Sequence, residues 1–151
     1  MVSHEALKEQ GLLEDLDAEE LRKISAFVKE ISFTKGTYVF REQEDTRGIF
    51  LIHAGKIEIS KVTADGWKQT LAVLGKGSFF GELSIIERRL HEANAVALED
   101  TTVLFIPRED FEKMEKEDLL LATRIMKRLI LVLSRNLRHM NEKFLNALIS
   151  Y

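Results

Sequence analysis

Apolar residues recur at two different periods along this chain, and the change of period divides it into three parts. Over the first ~30 residues the spacing is helical: Leu21, Ile24, Phe27-Val28 and Ile31 fall on one face. Ser3 is placed to cap a short first helix. Asp17-Ala18-Glu19-Glu20 reads as a capping box, with Asp17 as the cap and Glu20 reaching back. From Phe33 the period becomes two. Thr37 to Phe40, Ile49 to Ile52 and Lys56 to Ser60 read as strands, followed by Gln69 to Leu74, Ala93 to Leu98 and Thr101 to Ile106. Gly36, Gly48, Gly55 and the hairpin signal Asp65-Gly66 punctuate the run. Short strands joined by tight turns predict a jelly-roll barrel or β-roll of about eight strands. The only proline, Pro107, closes it.

After Pro107 the helical period returns. Glu109 to Glu117 reads as a short charged helix with Phe111 and Met114 apolar. One long helix then runs from about Asp118 to the end, roughly 50 Å at about 1.5 Å per residue. It carries two stripes. Ala122, Ile125, Leu129 and Val132 form a stripe that ends at Asn136 and suits packing on the domain. Met126, Ile130, Leu133, Leu137, Met140, Phe144, Ala147 and Tyr151 alternate spacings of four and three, a seam of a and d positions. A helix this long overhangs a domain of this size, so the seam predicts a homodimer, with Met126, Ile130, Leu133, Leu137, Met140 and Phe144 at its interface. The expected fold class is α+β in one domain: a helical lead-in over 1–32, a β-roll over 33–107 and C-terminal helices over 108–151.

Composition narrows the function classes. At 151 residues, with 45% hydrophobic and 31% charged side chains, the chain can bury a substantial core. With no cysteine, disulfides and thiol catalysis are excluded. No basic-then-apolar leader opens the sequence and no apolar run reaches the ~20 residues of a membrane span, so a cytoplasmic protein is expected. The net charge of −3 is unevenly distributed. From Leu119 onward, Arg124, Lys127, Arg128, Arg135, Arg138 and Lys143 stand against Glu142 alone, a net of +5 that leaves −8 on the rest. A solvated helix face is the plainer reading of that tail; nucleic acid or an anionic surface is the other. His4, His53, His91 and His139 show no metal-ligand spacing, and no nucleophile elbow or phosphate loop is present. No enzymatic activity and no cofactor are expected.

The residues that suggest chemistry lie between Leu74 and Ala97. Phe79-Phe80-Gly81-Glu82-Leu83-Ser84 follows a glycine-punctuated strand. Glycine lets backbone approach a ligand closely. The adjacent Glu82 carboxylate can accept hydrogen bonds from vicinal hydroxyls. A short helix after the turn would direct N–H groups at an anion. Together these describe a pocket for a sugar phosphate.

In order and spacing, these motifs resemble the cyclic nucleotide-binding domain family, the regulatory fold of catabolite activator-type transcription factors, cyclic nucleotide-dependent kinases and gated channels. Lys35 to Glu42 is similar to its second strand. Ile49 to Ile52 with Gly55 to Ile59 is similar to its next hairpin, and Leu74 to Ser84 to the opening of its phosphate-binding cassette. The resemblance implies cyclic AMP (cAMP) or cyclic GMP (cGMP) as ligand. It implies a site at Phe80, Gly81, Glu82, Leu83, Ser84, Arg89, His91, Glu92 and Ala93, and a terminal helix that carries the signal to an unknown protein partner. Where the family's cassette has an arginine for the cyclic phosphate, registration on Ala93 and Ala97 puts His91; Leu90 stands for a proline and Glu92 for a small residue. Gln43 stands where the family has a turn glycine. Neutral imidazole donates one bond where guanidinium donates a charged fork, a deficit of about 1.5–3 kcal/mol. Three readings follow. Arg88 or Arg89 substitutes for the missing cation; or the pocket takes another small anionic ligand through His91 and Glu92; or the pocket is vestigial and the chain is a dimeric interaction module. Catabolite activator-type regulators carry a helix-turn-helix after the long helix. This chain ends at Tyr151, so no DNA-binding domain is expected within it.

Overall fold

In the computed structural model, which describes residues 2–149, two four-stranded antiparallel sheets face each other and helices cover one of them. The chain runs through α1 (His4–Lys8), a 3-10 turn (Gly11–Leu13) and α2 (Ala18–Ser25). Eight strands follow: β1 (Lys29–Phe33), β2 (Tyr38–Phe40), β3 (Gly48–Ala54), β4 (Ile57–Val62), β5 (Lys68–Leu74), β6 (Phe79–Phe80), β7 (Asn94–Ala97) and β8 (Thr101–Pro107). The chain closes with α3 (Arg108–Glu117) and α4 (Leu119–Ile149). One sheet has the order β1-β8-β3-β6 and the other β2-β7-β4-β5. This is the expected α+β roll.

The helix starts follow their local chemistry. Ser3 Oγ accepts from the Ala6 N–H at 3.2 Å. The Asp17–Glu20 capping box closes both ways, at 2.9 and 3.1 Å. The helical lead-in, however, stops short of its expected limit. α2 ends at Ser25, and Ile31, assigned above to a helix face, lies in β1. Lys29-Glu30-Ile31-Ser32-Phe33 also alternates polar and apolar. Pairing with β8, in register Ile31 to Val103, lets Ile31 and Phe33 pack on the roll interior. The edge of β8 thus decides a segment that has both periods, and the β-roll begins at Lys29 and not at Phe33.

β3 and β8 are central because they are buried on both faces, as continuous apolar runs such as Gly48-Ile49-Phe50-Leu51-Ile52 require. Phe50, Ile52 and Val103 face the roll interior with Phe40, Ile57, Phe80, Ala95 and Ala97. Ile49, Leu51, Leu104 and Ile106 face the opposite way, into a second core with Leu12, Leu13, Ile24, Phe111, Leu121 and Ile125. Two apolar clusters therefore share one pair of strands.

α4 divides as its two stripes suggest. Leu121, Ala122, Ile125 and Leu129 are buried, with Met126 and Leu133 packed partly against the same core. Every described residue from Ser134 through Ile149 is exposed. Met126 and Leu133 therefore serve the chain's own core, while Ile130, Leu137, Met140 and Phe144 remain open; Tyr151 lies outside the described residues. The basic charge of the packed half is used locally. Arg124 Nη1 reaches Glu20 Oε1 at 2.6 Å, and Arg128 Nη2 reaches Glu14 Oε2 at 2.6 Å. Lys23 Nζ meets Asp118 at 2.8 Å in front of the helix. No helix among the described residues is long and apolar enough to cross a membrane.

The double burial of β3 has a measurable consequence. Leu51→Ala is expected to lower unfolding free energy by about 2–5 kcal/mol, whereas Leu71→Ala, at a side chain 55% exposed on β5, should shift it by less than about 0.5 kcal/mol. Urea unfolding of the two variants checks this; equal losses would refute the assignment of Leu51 to the helical core.

Candidate functional site

β6 is only two residues long, but it hangs on β3 through the pairs Phe50 to Phe80 and Leu51 to Phe79. Gly77 and Ser78 extend the contact, their N–H and C=O bonding both sides of Ile52 at 2.9 Å. Phe80, 3% exposed, stacks on Phe50 with centroids 5.0 Å apart. Next, Gly81 adopts φ +74°, and a Cβ there would come within 3.1 Å of the Gly48 carbonyl and the Phe50 ring. Glycine is thus required twice over, for its left-handed backbone and for the close approach. The chain turns immediately into one 3-10 turn, Glu82–Ile85. The expected apolar helix aimed at an anion is replaced by this four-residue turn. Ser84 is spent on it as well: its Oγ donates to the Gly81 carbonyl at 2.7 Å.

This turn forms one wall of a cavity of about 500 Å³, within the range of small-ligand sites. Phe40, Ile59, Ala72, Leu74 and Phe79 line its apolar floor. All nine residues proposed from the sequence border it: Phe80, Gly81, Glu82, Leu83, Ser84, Arg89, His91, Glu92 and Ala93. Four further residues come from α4, namely Arg128, Val132, Arg135 and Asn136. Sequence reasoning missed these four. Their signal was present in the stripe that ends at Asn136, because the residues at its end sit where the helix leaves the domain.

The electrostatics of the wall depart from a ready-made phosphate site. His91 is 7% exposed and lies flat on Phe40, with ring centroids 3.4 Å apart and planes 4° from parallel. Burial lowers its pKa from the ordinary 6.5, partly opposed by the nearby Glu44, so the ring is neutral at neutral pH. Its backbone is fixed too: His91 N–H donates to Glu44 O at 2.9 Å and Gln43 N–H to His91 O at 2.8 Å. That pairing holds Gln43 at φ +76°, the left-handed geometry that favours glycine. Arg88 turns away and meets Glu112 of α3 at 3.2 Å. Arg89 borders the cavity but is engaged by Glu92 at 2.6 Å and Glu87 at 3.3 Å. Glu82 is desolvated, which raises its pKa above the usual carboxylate value, with its own backbone N–H opposing slightly. Its carboxylate is thus poorly satisfied by the protein and suited to hydroxyl donors. Among the described residues no cluster of His, Asp or Glu could hold a metal ion.

The two-sheet roll thus carries a glycine turn over a cavity that is walled on one side by the C-terminal helix. Residues 30–118 match the family model for the cyclic nucleotide-binding domain, and the chain belongs to that family. It is 30% identical over 105 residues to the cyclic AMP receptor protein of Thermus thermophilus, covering 70% of this chain and 49% of that protein. It is 32% identical over 109 residues to human cGMP-dependent protein kinase 2, covering 71% of this chain and 14% of the kinase. The chain thus spans about half the receptor protein and a small part of the kinase. Among solved structures, the catabolite activator protein of T. thermophilus superposes with a TM-score of 0.77 at 27% identity, over 89% of this chain and 62% of that one. A cyclic nucleotide-binding domain from Methylobacillus flagellatus gives 0.86 at 21% identity, over 94% and 82%, a likeness of fold.

Neutral, buried His91 makes stability pH-dependent with a defined sign. The unfolded chain binds a proton at this ring more readily than the folded chain does, so stability rises with pH through the window below 6.5 and is lost as pH falls through it. Glu82, with its raised pKa, contributes with the opposite sign at acid pH, so the difference between wild type and His91→Gln is the useful quantity. That difference should shrink as pH drops from 6.5 to about 5. Parallel thermal-unfolding curves for the two proteins across that window would show that His91 is not held neutral.

Proposed function

We propose that this chain is a cytoplasmic regulatory domain whose cavity takes a cyclic nucleotide, cyclic AMP or cyclic GMP, and that it signals as a homodimer through α4 to a protein partner. The role is binding and reporting, with no chemical step. The observation that carries the reading is that one cavity is bounded both by the Gly81-Glu82 turn and by α4. An occupant touches both, and it can shift α4 only through different affinities for two helix positions. Glu82, desolvated at the wall, is suited to the ribose 2′-hydroxyl, and the apolar floor to a base.

The homodimer rests on the projecting half of α4. Ile130, Leu137, Met140 and Phe144 are 59–66% exposed and, spaced seven, three and four, fall on a and d positions of a coiled-coil seam. Two such helices would cover each other's stripe.

A second reading, a non-liganded dimeric scaffold, draws on the state of the basic residues of the cassette. His91 is neutral and buried, and Arg89 is already paired with two carboxylates. Loss of a charge-assisted bond costs about 1.5–3 kcal/mol, a factor of about 10–150 in affinity.

Titration calorimetry with cyclic AMP and cyclic GMP separates the two. Submillimolar binding abolished by Glu82→Ala is the outcome expected of the sensor; no heat and no thermal shift at millimolar nucleotide would leave the scaffold. Dimerisation has its own test. Sedimentation of the chain and of a form truncated after Asn136 should give dimer and monomer respectively, and two monomers would refute the seam.

A further inference from the structure

The basic side chains around the cavity differ in whether the protein already uses them. Arg89 is held between Glu92 and Glu87. Arg128 is tied to Glu14 by Nη2 at 2.6 Å and to the Gly11 carbonyl by Nε at 3.1 Å. His91 is stacked on Phe40 and nine-tenths buried. Arg135 alone of these borders the cavity with no hydrogen bond or ion pair among the described residues. Arg128, Val132, Arg135 and Asn136 lie at i, i+4, i+7 and i+8 and so share the face of α4 that meets the cavity. Arg135 also lies two residues beyond Leu133, the last side chain of α4 packed on the core.

We infer that Arg135 is the anion-receiving residue of this cavity, so that the ligand's negative group is held by α4 and not by the cassette turn. This rests on the reading of the cavity as a ligand site. The class of ligand it assigns is an amphipathic anion: a hydroxyl toward Glu82, an apolar body on the floor of Phe40, Ile59 and Leu74, and a phosphate or similar charge toward Arg135. The guanidinium fork is apt for a phosphate, and it needs no existing ion pair to be broken. The consequence is regulatory. An anion bound here joins the roll to the point where α4 leaves it, and therefore favours one departure angle of the projecting half. In a pocket whose anion went to the cassette, the helix would be contacted only by the remainder of the ligand.

The test compares wild type, Arg135→Gln, Arg89→Gln and Arg138→Gln, the last a control further out on the exposed part of the helix. The calorimetric probes are cyclic AMP, cyclic GMP, adenosine and inorganic pyrophosphate. The expected result is that Arg135→Gln weakens cyclic nucleotide binding by about 10- to 150-fold while adenosine binding and thermal stability stay unchanged, and Arg138→Gln behaves as wild type. Cyclic nucleotide binding that survives Arg135→Gln but not Arg89→Gln would overturn the inference and leave the sensor reading intact. Pyrophosphate binding lost on Arg135→Gln, with no cyclic nucleotide bound by wild type, would uphold the anion site and end the cyclic nucleotide reading. No binding of any probe to wild type would overturn both.

Discussion

Burial of β3 on both faces is the constraint on which the rest of this structure depends. Its even-numbered side chains, Phe50 and Ile52, fill the roll, and its odd-numbered ones, Ile49 and Leu51, fill the helical core. The strand therefore cannot slip by one residue without exchanging two cores. β6 is pinned to it by Phe50 and Leu51, and the Gly81 turn presses against Gly48 and Phe50. The cavity wall is thus set by a strand that has no freedom of its own. α4 is set by the other face of the same strand, through Leu121, Ile125 and Leu129. The site and the element that would report on it are positioned by one shared element.

The charge asymmetry has a local explanation. Positive charge accumulates on α4 partly because the lead-in is acidic: Glu14 and Glu20 receive Arg128 and Arg124. Glu20 keeps only a tenth of its side chain exposed, so its pair with Arg124 is better shielded from water than the surface pairs around Arg88. A long-range role in attracting nucleic acid is not needed to account for these cations. What remains is the set that the protein leaves unused, and Arg135 stands out because it faces a cavity.

Much of the site was legible along the chain. Phe79-Phe80-Gly81-Glu82 announces a strand, a turn and a carboxylate in four residues, and those are local properties. The resemblance, registered on Ala93 and Ala97, set His91 against the family's cassette arginine, and His91 does border the cavity. The neutral state of His91 was legible from the ordinary imidazole pKa; the further lowering by burial was not, because that burial comes from packing against distant residues such as Phe40, fifty-one positions away. The commitment of Arg89 was partly legible, since Glu92 is three residues on; that of Arg88, to Glu112, was not. Residues of α4 entered the cavity unannounced because a helix stripe gives the direction of a face but not what that face meets.

The lead-in shows the same division. The capping box at Asp17 and Glu20 formed as written, being a three-residue affair. Lys29 to Phe33 satisfied a helical and a strand period at once, and only the open edge of β8 chose between them. Sequence alone determined the elements with a single period, the turn at Gly81 and the family they compose, because each depends on neighbours within a few residues. Tertiary structure decided where the roll begins, which cations are spent and which wall of the cavity belongs to α4. Those outcomes are contacts between segments far apart in the chain, and pairwise packing across such distances has no local signature.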